Sequence, residues 1–201
     1  MMTTRRMLLT LGGLSLLRHA NAQVGNAGLI PYRKLTWRDF PIRDVRAEGE
    51  RTARTEARIL WTYKSRWSEQ RRGSFVAHVE SCELRCYFDP RRSWRRRNLG
   101  PAPDKLLAHE QSHLDLTYLH MLRLLRVPLN DLGLGVGESS GAAEAHLEVQ
   151  VGRYFSDSIA EHQRVHDRFD QETNHGLDDA MQQVWEKRII RAIAQHAPPP
   201  R

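Results

Sequence analysis

The chain has 201 residues, 40% of them hydrophobic, with 31 lysines and arginines against 24 acidic residues. This length and apolar content predict one domain with an ordinary core, and no apolar run beyond the N-terminus is long enough to cross a bilayer. Much of the formal charge of +7 belongs to the first 22 residues: without Arg5, Arg6 and Arg18, 28 basic residues face 24 acidic ones, leaving +4.

Residues 1–22 read as an export signal. Arg5 and Arg6 form a positive start, residues 7–17 an apolar stretch, and Ala20-Asn21-Ala22 a small-x-small cleavage site before Gln23. Thr4 to Leu9 loosely resembles a twin-arginine signal, which leaves the export route open. The expectation is an exported protein, periplasmic or secreted, whose residues 23–201 form a single domain with no integral membrane segment. That location argues against nucleic acid as the working partner, and the oligomeric state stays open.

Three segments of the first half, residues 34–40, 53–63 and 74–88, are rich in aromatic and β-branched residues and predict an antiparallel sheet. Cys82 and Cys86 are the only cysteines, and in an exported protein they favour a disulfide. In a straight strand, residues four apart lie about 13 Å from each other, so that pairing requires a tight turn between them. The arginine-rich stretch 91–97 reads as a solvated loop. Residues 103–126 have no internal proline or glycine, and their leucines recur at helical spacing, with Pro103 and Asp104 suited to a first turn. Residues 127–141, with Pro128 and several glycines, predict a long loop. Two further helices are expected over about 142–169 and 177–195, separated by the polar segment Asp170-Gln171-Glu172-Thr173-Asn174-His175-Gly176.

Inside the first of these helices lies His109-Glu110-Gln111-Ser112-His113. Two histidines four apart share one helix face and converge on one metal ion, while Glu110, about 100° further round, reaches a water beside the metal rather than the metal itself. Burying these three polar groups together without an ion would be costly. The pattern predicts Zn2+ held by His109 and His113, with Glu110 as general base in hydrolysis. Asp115 is a candidate to orient one imidazole. Catalytic zinc normally takes three protein ligands and a water, so a third ligand is missing. Glu144, His146, Glu148, His162, His166, Asp170, Glu172 and His175 all remain candidates by spacing. Leu119 stands where the extended metzincin pattern has its third histidine, which disfavours that class.

Leu35-Thr36-Trp37-Arg38-Asp39-Phe40, Ser93-Trp94, Leu106-Leu107-Ala108-His109-Glu110-Gln111-Ser112-His113-Leu114-Asp115 and the segment from Asp170 to Gly176 occur in that order. Together they resemble the DUF922 family of secreted zinc-dependent proteases, over nearly all of residues 23–201. Ser112 and Leu114 depart from the glycine and phenylalanine usual in that pattern. The resemblance implies an α+β, zincin-like fold: an N-terminal antiparallel sheet, an active-site helix and two further long helices. It carries the acid-x-x-Thr-x-His-Gly pattern onto Asp170, Thr173, His175 and Gly176, and on it His175 is the expected third ligand. The implied activity is a metallopeptidase acting on a peptide or protein substrate. The alternatives are a zinc amidase acting on cell-wall material and a non-enzymatic envelope protein with a structural zinc. Tyr118, Tyr154, His162 and His166 are candidate donors to an oxyanion.

Overall fold

Two long strands form the spine of the computed structural model, which describes residues 28–43, 51–70 and 73–197 together with the backbone of residues 3–8. Strand β4 (Ala57–Glu69) pairs antiparallel with β5 (Phe75–Phe88), from Ala57 opposite Phe88 to Glu69 opposite Phe75, with a register shift between Lys64 and Ser65. In β4, Ile59, Trp61 and Tyr63 are buried while Leu60, Thr62 and Lys64 are more exposed, the period-two pattern of a strand with one covered face.

Five short strands complete the framework. Strand β1 (Thr3–Leu8) pairs with β4, β2 (Ile30–Pro31) with the last two residues of β5, and β7 (Leu134–Gly137) with its first four. Strands β3 (Ala53–Arg54) and β6 (Trp94–Arg95) make a separate two-stranded pair. The export-signal reading of residues 1–22 falls largely outside the described residues; within it, only the pairing of β1 is described.

Three helices follow: α1 (Pro103–Leu124), α2 (Ser140–Glu172) and α3 (Asp179–His196). Leu114, Met121 and Leu122 of α1 pack on Ile59, Cys86 and Phe88, while Leu147, Val151 and Phe155 from the first half of α2 cover Trp61, Tyr63, Ala77 and Val79. Helix α3 joins through Trp185 and Ile189, which meet Leu116 of α1 and Phe169 of α2. The domain is mixed, with antiparallel sheet and helices, as the α+β expectation requires.

Several local expectations are corrected. Residues 34–40 are not a strand: Trp37–Asp39 is a 3₁₀ turn, because the Asp39 carboxylate accepts from both the backbone N–H and the hydroxyl of Thr36. The Leu35 N–H donates to Gln111 on α1, so side chains take the groups that a ladder would use. The 53–63 segment breaks at Thr55 and Glu56 into β3 and β4. The 127–141 loop contains β7, which lies so close to α2 that a side chain on Gly135 would put a carbon 1.9 Å from the Ala143 carbonyl oxygen. Cys82 and Cys86 are free thiols, since β5 runs through both without the turn that a disulfide needs. Within 91–97, Arg91, Arg92 and Arg97 are exposed, but Ser93 and Trp94 are buried.

Candidate metal centre

Helices α1 and α2 run antiparallel along a seam whose contacts step by one helical turn. His109 meets Asp170, His113 meets His166, Thr117 meets His162, and His120 meets Ser158. At the top of this seam, Asp170 Oδ1 lies 3.1 Å from His109 Nε2 and 2.9 Å from His113 Nε2. The ligand atoms of these three residues all fall within 4.8 Å of one another. A tetrahedral ion with bonds of about 2.0–2.2 Å separates its donors by about 3.4 Å, so small shifts would open this group around an ion. Glu110 is 3% exposed, and its buried Oε2 has no hydrogen-bond partner. An orphaned buried carboxylate oxygen on the residue next to His109 fits a site that takes a water or an ion.

The electrostatics agree with the geometry. Burial alone would raise the Asp170 carboxyl, but hydrogen bonds from His109 and His113 hold it well below the usual carboxylate range. Burial pulls His109 down, yet Asp170, Glu110 and Gln182 together outweigh it and raise the imidazole. Either imidazole would exchange a proton on Nε2 for a cation there.

The elements hold these side chains firmly. The His109 ring stacks on fully buried Phe169 at 4.7 Å, and Phe169 meets the His113 ring edge-on at 5.0 Å. His109 also lies close to Gly176, where a β-carbon would come within 2.9 Å of His109 Cγ. Asn174, His175 and Gly176 all have positive φ, so the chain turns tightly after α2. Buried Thr173 secures that turn: its hydroxyl donates to the Phe169 carbonyl, its carbonyl accepts from Gly176 N–H and Asp178 N–H, and the His175 N–H donates back to Asp170. The acid-x-x-Thr-x-His-Gly pattern thus serves one member of the converging group, one turn and one close contact with another member.

The structure brings together His109 and His113 as their spacing predicts, and Glu110 is buried close enough to His109 to raise its imidazole. Asp170, one of the alternatives, occupies the third place. His175 is 56% exposed at the rim, with Nδ1 3.6 Å from Asp170 Oδ2, and is not in the converging group. The other candidates are engaged elsewhere. Glu172 accepts from the Trp185 indole, and Glu144 and His146 sit on the first half of α2 against Ser65 and Val136. Position 148 is 22 residues from Asp170, about 33 Å along the helix. His162 and His166 lie in the seam. Asp115 accepts from Tyr32 and Gln111 rather than from an imidazole. Among the oxyanion candidates, Tyr118 stacks on Tyr32 at 3.7 Å, and Tyr154 lies against Phe155.

Two contributors were not legible in the chain. Phe169 and Gln182 carry only an ordinary core and an ordinary surface signature, and their proximity to His109 arises from how α2 and α3 dock. A cavity of about 460 Å3 lies between α1, α3 and residues 34–35, lined by Leu107, Gln111, Asp115, Glu186 and Ile189 but by neither imidazole. The chemistry, not the cavity, locates the site. No protein-family model matches the chain, and no curated protein or solved structure matches it.

Proposed function

We propose that the chain is a zinc-dependent hydrolase, specifically a metallopeptidase with a zincin-like architecture, related to the DUF922 family that its motifs resemble. The single observation that carries this reading is the convergence of His109, His113 and Asp170, with Glu110, next to His109, buried and its Oε2 unpartnered. Two imidazoles and one carboxylate are borderline and hard donors suited to zinc. A three-donor set favours a catalytic over a purely structural ion, because it leaves a position for water. The N-terminal arginine, apolar and small-residue pattern supports action outside the cytoplasm.

When bound, zinc would supply the positive charge that activates water and polarises a substrate carbonyl. Glu110, held one residue round from His109, takes the proton from the attacking water and passes it to the leaving amine. Asp170 supplies the only negative charge in the donor set, so the proposed centre is less positive than the three-histidine set inferred from sequence. His175, exposed beside Asp170, is placed to donate to the oxygen on which charge develops.

Metal analysis and cleavage of an unfolded protein test the reading together. Glu110→Gln is expected to retain zinc and lose turnover by about 10²- to 10⁴-fold, the usual weight of a general base. Wild-type turnover in that variant would exclude Glu110 from the role, and a wild-type chain that holds no zinc would exclude the centre.

A further inference from the structure

Gln182, on the second turn of α3, is buried and reaches across to α1. Its amide orientation is determined by its neighbours. Gln182 Nε2 lies 3.2 Å from Ser112 Oγ and 2.9 Å from Glu186 Oε1, and the Ser112 hydroxyl already donates to the Ala108 carbonyl. Both partners therefore accept, and the nitrogen must point at them. That leaves Gln182 Oε1 facing His109 Nδ1 at 3.1 Å. An amide oxygen can only accept, so His109 Nδ1 must carry a hydrogen.

We infer that Gln182 is the positioning residue of the metal centre, keeping a hydrogen on His109 Nδ1 and turning Nε2, whose proton a cation would replace, towards His113 and Asp170. The inference rests on the zinc reading above and deepens it. Rotation of the ring is hindered as well, by Phe169 stacked on it and by Gly176 close against it. Ser112, which departs from the glycine usual in the motif, has a use here: its hydroxyl is one of the two acceptors that prevent the Gln182 amide from flipping. Outer groups that accept from a ligating histidine typically carry a tenfold to hundredfold effect on metal affinity.

The test is zinc affinity by competition with a chromophoric chelator, in wild type and Gln182→Met, with the metal-free thermal midpoint of each. Methionine removes the acceptor at similar length without placing a second carboxylate against Glu186. The expected result is a tenfold to hundredfold loss in Gln182→Met, out of proportion to any change in the metal-free midpoint. A Gln182→Met chain that folds and binds zinc as wild type does would overturn the inference while leaving the zinc reading intact. A wild-type chain that binds no zinc would overturn both. Should the methionine variant fail to fold, long-range 1H–15N spectra of the zinc-loaded wild type decide: a protonated Nδ1 on His109 supports the assignment, and a protonated Nε2 overturns it.

Discussion

In the last turns of α2, Asp170 is a carboxylate whose burial would favour the neutral acid but whose two imidazole partners keep it ionised. Its Oδ1 faces both histidines, whereas the exposed His175 ring approaches only its outer oxygen, Oδ2. The two residues are therefore expected to fail differently. Asp170→Ala should lose zinc by more than the hundredfold that an outer-shell partner can account for. His175→Ala should retain full zinc and lose turnover by about 10²-fold, as for removal of one oxyanion donor. Metal analysis after gel filtration, beside a turnover assay, separates them; zinc lost from His175→Ala and kept by Asp170→Ala would restore the three-histidine set. His109 and His113 were legible in sequence because four-residue spacing on one helix settles their geometry locally. The choice between Asp170 and His175 was not, because it depends on left-handed turns at Asn174 and His175, where a five-residue difference in sequence becomes a difference in direction.

Helices α1, α2 and α3 were readable because apolar periodicity acts within each segment, helped in α1 and α3 by the absence of proline or glycine beyond the first helical residue. Strand β7 was hidden for the opposite reason. Gly133, Gly135 and Gly137 look like loop residues, yet two of them are glycine because α2 lies against them: added side chains would meet Ala143 and Leu147 at 135, and Ala142 and Ala143 at 137. Gly135→Ala is expected to cost about 3 kcal/mol or more, since helix backbone would have to move. Gly152, in the middle of α2 with nothing within 4 Å of its would-be β-carbon, provides the contrast. There, Gly152→Ala should stabilise by about 0.5–1 kcal/mol through helix propensity alone. Urea midpoints would show the two changes moving apart; equal shifts would mean that β7 does not pack on α2 as described.

Across the whole molecule, the seam between α1 and α2 buries more histidine than two ligands require. His120 is lowered to about 4, first by burial and then by Arg123, with Glu161 acting against them. Its Nε2 bonds the Ser158 hydroxyl, and its ring stacks on His162 at 4.5 Å. Burial also holds His162 and His166 well below the ordinary histidine range. In the unfolded chain these rings titrate near about 6.5. Between that pH and about 4, the unfolded state therefore binds more protons than the folded one, and stability falls as the solution is acidified. His109 works in the opposite sense, because its raised value adds stability at low pH that is lost as pH rises through it. Three lowered rings against one raised ring give the histidines an acid-labile slope, opposed by the carboxyls of Glu56 and Asp115, which burial raises. In the metal-free chain, where zinc release adds nothing, the unfolding free energy is expected to fall steadily below about pH 6.5. His120→Phe keeps a ring on His162 but removes one titrating group, and should flatten that slope by up to about 1.4 kcal/mol per pH unit. Urea unfolding at several pH values between 7.5 and 4.5 measures both slopes, and a variant slope equal to that of wild type would remove His120 from the source of the acid lability.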